Sequence, residues 1–400
     1  MNPSKYLGNE VNYVQKVLNS ENWSATAGNW NNALERAFCE KFGVKYAIAM
    51  NSGTATLHSA LVAVGVKPGD EVIIPAFTVI MDATAVIHAG AIPIYADVDP
   101  WTFEVTAQAI EARITPKTRA IITVALYGLT PDMTRIMKMA QKYNLPVIED
   151  NAQCFLGYEK GRLAGTIGDM ASFSFENSKH MSCGEGGILV TNNERYAEIA
   201  RKIGGHGYKN LRAEEGRVRL NADVFQRPEY KRCDMVGWNY RLNEFSAAIA
   251  LAQLERLDEL VELRKESANL FRDVMAQSDL FVPQYVPKDC INSYYTLGAL
   301  YQGDDWADFH TKYIENGGDG FYGACALPYQ EPALFGYRYH RCPVAESLQS
   351  RMMQFKTNYR DLELAKVKAE VLEKTIEGYS HRVKRTDRNR NHKVSQVQAA

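Results

Sequence analysis

Four hundred residues, 46 of them basic and 47 acidic for a formal charge of -1, exclude a general electrostatic attraction to nucleic acid or anionic membrane. A hydrophobic fraction of 46% supplies core for about two or three domains. Seven scattered cysteines, with no Cys-x-x-Cys pair, exclude a disulfide framework and a zinc site. No leader-like start or apolar run of ~18 residues occurs, so a metal-free, soluble, cytoplasmic chain with reduced thiols is expected.

Short apolar runs at 46–50, 71–74, 92–96, 120–124, 146–150, 170–175 and 187–190 alternate with stretches of helical period. This alternation predicts an α/β fold, a mostly parallel sheet sandwiched by helices, in which ligands gather at the carboxyl ends of the strands. Four polar clusters lie at or just past such ends: Asn51-Ser-Gly-Thr54, Pro75-Ala-Phe-Thr78, Asp150 to Gln153 and Phe175 to Lys179. Beyond Gly237-Trp-Asn-Tyr-Arg241, residues 243–276 read as one long helix leading into a smaller C-terminal α/β domain. The expected division is a large domain over 1–260 with an N-terminal helical segment, a small domain over 261–380, and a charged, disordered tail over 381–400.

Taken in chain order, the first cluster opens a helix, so its backbone N–H groups and the Ser52 and Thr54 hydroxyls suit a phosphate. A plain helix cap would use the same residues. Asp150 and Gln153 place a carboxylate and an amide at the end of one strand. That pair suits a heteroaromatic ring, the acid at a protonated pyridine nitrogen and the amide at a ring oxygen, although Asp150 could equally cap a helix. Lys179 stands between a strand and the glycine-rich turn Gly184-Glu-Gly-Gly187. A desolvated amine there is placed to form a Schiff base with an aldehyde. An amine, an acid for a ring nitrogen and a phosphate-binding helix start together specify pyridoxal 5'-phosphate. No Gly-x-Gly-x-x-Gly after the first strand and no Gly-x-x-x-x-Gly-Lys-Ser/Thr supports a nucleotide cofactor instead.

The same residues, with Pro68-Gly-Asp-Glu-Val-Ile-Ile-Pro75, Gly90-Ala-Ile-Pro93, Ile148-Glu-Asp-Asn-Ala-Gln153, Gly237-Trp-Asn-Tyr-Arg241 and Cys342-Pro-Val-Ala-Glu346, run in an order that covers 23–360. In that order the chain resembles the DegT/DnrJ/EryC1/StrS sugar aminotransferases, fold-type I pyridoxal phosphate enzymes. The resemblance implies amino transfer, with glutamate as donor and a nucleotide-linked keto sugar as acceptor, in amino-sugar biosynthesis. It implies Lys179 as the catalytic Schiff-base lysine, Asp150 at the pyridine nitrogen, Gln153 at the ring oxygen, and Gly53, Thr54 and Ser174 at the phosphate. Asn239 would reach the phosphate across the interface of a homodimer with shared sites. A keto-inositol or eight-carbon keto-acid sugar as acceptor, sugar dehydration, and a catalytically silent homologue are the competing readings.

Three positions depart from the pattern that the resemblance implies. Val79 stands where relatives place an aromatic residue over the ring, with Phe77 two residues back. Glu176-Asn-Ser178 replaces the usual triplet before the lysine. His180 invites comparison with dehydratases that use histidine, but Lys179, five positions before Gly184, holds the lysine register. His180 is therefore expected to be a supporting or interface residue, and His206 a loop residue at least as much as a substrate contact. The aromatic residues of 319–329 and 337–339 are left without a role.

Overall fold

The computed structural model describes residues 6–26, 28–216, 222–320, 326–337 and 340–397. Helices α1 (Glu10–Asn19) and α2 (Trp30–Phe42) precede strand β1 (Tyr46–Met50). They are followed by α3 (Gly53–Ala63), β2 (Glu71–Pro75), α4 (Ile80–His88), β3 (Ile92–Ala96), α5 (Ala107–Glu111), β4 (Thr118–Val124), α6 (Met133–Tyr143) and β5 (Val147–Asp150). A short hairpin, β6 (Tyr158–Glu159) and β7 (Arg162–Leu163), leads to β8 (Met170–Ser174), β9 (Gly187–Thr191) and α7 (Glu194–Gly204).

Seven of these strands form one sheet in the order β1-β9-β8-β5-β4-β2-β3. Pairing is parallel from β8 through β5, β4 and β2 to β3, and antiparallel on both sides of β9. Because β1 is antiparallel to β9 and β9 is antiparallel to β8, β1 runs with the parallel set. The carboxyl ends of β1, β2, β5 and β8 therefore share one edge, and the four polar clusters follow those ends.

Strand alternation decides which side chains face which helices. Ala171, Phe173 and Phe175 join Leu34, Phe38 and Phe42 of α2 in a buried core. The Phe38 and Phe42 rings stack at 4.1 Å, and Phe173 meets them edge-on at 5.2 and 5.0 Å. Ser172 points the other way, toward α3, where its hydroxyl lies 2.6 Å from Thr56 Oγ1. Helix α3 is apolar on nearly every side and buried along most of its length, as a helix covered on all sides must be.

The sequence predicts one helix over 243–276. The structure has two, α8 (Ala222–Phe225) being followed by α9 (Glu244–Glu255) and α10 (Leu257–Met275), with Arg256 leaving the helical range at ψ 11°. Asn243 caps α9 by accepting from the Ser246 N–H at 2.9 Å.

The chain divides into two compact units, and the division falls inside α10. The first unit takes Met1–Glu262, Tyr285–Tyr295 and Cys325–Gln349, and the second Leu263–Gln284, Thr296–Ala324 and Ser350–Ala400. The stretch read as a continuous small domain is thus interleaved with the large one. In the first unit, β11 (Cys290–Ile291) pairs with β6. The second unit has an antiparallel sheet of β10 (Phe281–Pro283), β12 (Thr296–Tyr301) and β13 (Met352–Lys356) with α11 (Trp306–Glu315). After α12 (Pro343–Gln349) of the first unit, α13 (Leu362–Val397) closes the chain.

Helix α13 runs through the segment read as a disordered tail as far as Val397. Among the described residues no helix is long and apolar enough to cross a membrane. The described cysteines, Cys39, Cys154, Cys183, Cys233, Cys290 and Cys342, are all free thiols.

Candidate active site

Residue parity aims the site. Asp150 is in register with Ser172 and Glu149 with Ala171, so Asp150 lies on the α3 face and Glu149 on the opposite one. Glu149 accepts from the N–H groups of Gly165, Ile167 and Gly168 at 2.8, 2.7 and 2.5 Å and clamps that loop. Asp150 accepts from the Ala152 N–H at 2.8 Å. No helix follows it, so Asp150 is not a helix cap.

Ser174 ends β8 on the same face as Ser172, and a Cβ on Gly53 would sit 2.9 Å from the Ser174 Cβ. Gly187, in register with Ser174, is equally tight, since a Cβ there would lie 2.8 Å from the Gly53 nitrogen. The two glycines let the start of α3 press onto the sheet edge. Ser52 caps α3, accepting from the Ala55 N–H at 3.1 Å, so the capping role and an anion-binding role are compatible there. The N–H groups of Gly53 and Thr54 stand in the first turn, where no helical carbonyl can reach them.

Gln153 Oε1 accepts from the Tyr127 N–H at 2.9 Å, which leaves the amide nitrogen as its donor. Tyr127 adopts a left-handed φ of 60° to make that bond. Lys179 lies in the turn after β8, its N–H donating to the Glu176 carbonyl at 3.0 Å. Its Nζ lies 4.6 Å from the ring centroid of Tyr295. The Tyr295 hydroxyl lies 2.8 Å from Ser178 Oγ, and Ser178 donates to the Glu176 carboxylate through its N–H at 2.9 Å and its hydroxyl at 2.5 Å. Glu176 is therefore a brace within its own loop.

Two contributors escaped the sequence reading. Tyr295 arrives from more than a hundred residues away, on a loop pinned by bonds from the Ser293 N–H and hydroxyl to the Gly128 carbonyl, and no local motif announces it. Asp82, on α4, is fully buried, it and Asp150 act on each other's charge, and Thr78 donates to its Oδ2 at 2.6 Å. Its signal was an acidic residue in an otherwise apolar helix. Burial first, then the Asp150 charge, holds the Asp82 carboxyl well above the usual carboxylate range; burial also raises Asp150, opposed by the Ala152 N–H, Asp82 and Lys179.

The departures also find their places. Val79, half-buried and extended, precedes α4, whereas Phe77 is buried with its ring 6.5 Å from those of both Phe103 and Tyr127. Phe77 is thus held in that ring cluster. His180 is buried beside Phe155 with Nε2 3.0 Å from the Ser293 carbonyl, a packing role. His206 takes a left-handed φ of 61° and donates its N–H to the Trp238 carbonyl at 2.9 Å, shaping the loop. Asn239 follows; Asn51 Nδ2 donates to its carbonyl at 3.3 Å, while its side chain is exposed. Among the aromatic residues left without a role, Tyr329 packs edge-on against Tyr95 at 5.0 Å; Phe321, Tyr322 and Tyr339 lie outside the described residues.

Comparison with known proteins places this arrangement among aminotransferases. The model of the DegT/DnrJ/EryC1/StrS aminotransferase family matches residues 6–373. A GDP-perosamine synthase of Caulobacter vibrioides is 40% identical over 270 residues, 68% of this chain and 68% of that protein. One of Escherichia coli O157:H7 is 34% identical over 346 residues, covering 85% and 88%. Among solved structures, an aminotransferase from Psychrobacter cryohalolentis superposes with a TM-score of 0.83 at 29% identity, covering 93% of this chain and 96% of that one. A 3-amino-5-hydroxybenzoic acid synthase superposes with a TM-score of 0.80 at 28% identity, covering 92% and 96%.

Proposed function

The chain belongs to the DegT/DnrJ/EryC1/StrS aminotransferase family, and we propose that it transfers the amino group of glutamate to a GDP-linked keto sugar to give a perosamine-type product. It is a pyridoxal phosphate-dependent aminotransferase acting on a nucleotide-linked keto sugar. The choice of GDP and of perosamine follows the names of its two relatives; glutamate follows the family pattern.

The observation that carries the reading is the convergence of Lys179, Asp150, Gln153 and the start of α3 on one sheet edge. These residues fit the cofactor. The Gly53–Ser174 approach makes a cradle that a Cβ would fill, and the Asp150 carboxylate is buried on the same face. Pyridoxal phosphate, when bound, supplies an aldehyde and an electron-withdrawing ring that carry the amino group from donor to acceptor.

The chain's own residues do the rest. Lys179 would hold the cofactor covalently and would serve as the general base and acid for the proton that amino transfer moves. Asp150 would pair with the ring nitrogen and keep it protonated, while Gln153 would offer its amide N–H to the ring oxygen. The N–H groups of Gly53 and Thr54, with Ser174, would hold the phosphate at the positive end of α3. Val79 would meet the ring in place of an aromatic side chain, forgoing the ~0.5–1.5 kcal/mol that ring pairing adds beyond burial.

Asn239 completes the phosphate site of a second subunit in a homodimer. In support, Val236 and Trp238 beside it are 80% and 42% exposed, apolar area that an interface would cover. A cytoplasmic location suits the free thiols, six of them among the described cysteines.

Lys179→Ala and Lys179→Arg decide the assignment. Both are expected to lose turnover with glutamate and GDP-linked keto sugars, together with the near-visible absorbance of the lysine-bound cofactor. Turnover retained by either variant overturns the role of Lys179. Turnover by wild-type protein with other nucleotide sugars only overturns the GDP assignment.

A further inference from the structure

The Asp82–Asp150 contact sets one acceptor against another. Asp82 Oδ1 is buried and, among the described residues, meets no N–H or hydroxyl donor. The acid that acts on it is Asp150, and a hydrogen bond between two carboxyl groups exists only when one of them carries a proton. Two ionised carboxylates in contact at complete burial would repel with no water to screen them.

The surroundings say which acid holds the proton. Asp150, at the sheet edge, receives the Ala152 N–H at 2.8 Å. Asp82 sits deeper, at 0% exposure, and among the described residues the Thr78 hydroxyl is its one donor. Lys179 acts on both acids. From β3, Tyr95 adds a buried neutral hydroxyl whose own ionisation is opposed by burial and by Asp82.

We propose that Asp82 is a positioning residue for Asp150: it donates a shared proton to the Asp150 carboxylate, so that the pair carries one negative charge and meets the cofactor ring nitrogen as a unit. This rests on the placement of Asp150 at that nitrogen. The shared proton itself is a property of the cofactor-free protein as well. A pair holding one proton is a weaker base toward the ring nitrogen than a lone carboxylate would be, and its geometry is fixed from α4 rather than from β5 alone.

Asp82→Asn keeps a donor toward Asp150 but has no titratable proton, and Asp82→Ala removes both. Urea unfolding of the cofactor-free proteins from pH 5 to pH 8 reads the proton directly. A folded-state pKa raised above its unfolded value gives stability that is fully present at low pH and is lost as pH rises through the folded value. The stability of the wild type relative to Asp82→Asn is therefore expected to fall across that range; a pH-independent difference overturns the shared proton.

Cofactor affinity and the pH midpoint of the bound-cofactor absorbance read the positioning. Asp82→Ala is expected to bind pyridoxal phosphate roughly tenfold more weakly, the loss of one hydrogen bond to a charged group. Its absorbance midpoint should move, while Asp82→Asn restores the affinity to within about twofold. Unchanged affinity and midpoint in Asp82→Ala overturn the positioning role. Wild-type protein that shows no cofactor band overturns the functional reading and the positioning together, while the unfolding series still decides the shared proton.

Discussion

Beneath the face of Tyr295, the Lys179 side chain meets a ring whose hydroxyl is tied through Ser178 to Glu176. Ring and hydroxyl do separate jobs there, the ring covering the lysine and the hydroxyl bracing the loop. Tyr295→Phe should keep most of the activity, whereas Tyr295→Leu should lower kcat by about three- to tenfold, the range of a partly buried cation–π contact. Equal losses in both variants would show that the hydroxyl alone matters. His58 offers a test away from the chemistry. Its Nδ1 lies 2.9 Å from the Tyr240 hydroxyl, and burial, aided by His88, pulls its imidazole down to about 4. A depressed folded pKa gives stability that is present above the ordinary histidine value of about 6.5 and lost as pH falls through the folded one. Urea midpoints of the wild type should therefore drop between pH 6.5 and pH 4 by more than those of His58→Asn. That Lys179, Asp150, Gln153 and the Gly53-Thr54 turn would gather at one edge was legible, because each sits beside a strand end within one motif. Tyr295 and Asp82 were not, because their roles depend on what packs against them.

At the scale of elements, the free edge of β1 shows how the site's first strand is held. Glu35 of α2 accepts from the Ala49 N–H at 2.9 Å, and Arg201 of α7 donates to the Ala47 carbonyl at 3.2 Å. The two side chains also form a buried fork, both bonds 3.0 Å long, so the strand's edge groups are satisfied by an ion pair in place of a further strand. Breaking one partner leaves a buried charge alone. Glu35→Ala is expected to destabilise the protein by about 3–5 kcal/mol, measured as the shift of the urea midpoint at constant slope. A loss below about 1 kcal/mol would mark the pair as dispensable. Glu35 and Arg201 each lie in ordinary helical sequence, and nothing local foretells their meeting. Helices α9 and α10 teach the same lesson: the composition of 243–276 is helical throughout, so the break at Arg256 is invisible to propensity.

In the whole molecule, the order of strands brings residues 51–54, 75–78, 150–153 and 175–179 to one edge, and the exposed Asn239 extends the question to a second copy. If Asn239 serves the partner's phosphate, a mixed dimer of Lys179→Ala and Asn239→Ala has both defects in one site and none in the other. Mixing the two variants under conditions of subunit exchange should recover up to about a quarter of wild-type activity, since half the dimers are mixed and each has one intact site of two. No recovery, with dimers present, would place Asn239 in the site of its own chain. The alternation of apolar runs and the polar residues at their ends suffice to predict an α/β sheet and the gathering of polar residues, Lys179 among them, at one edge, because strand period and strand-end chemistry are local properties of the chain. The Asp82–Asp150 pair, the Tyr295 ring over Lys179, the buried fork on β1 and the interleaving of 285–295 and 325–349 with the first unit came only with packing. Each joins residues far apart in the chain, and the burial and charge that give them their roles exist only once those residues have met.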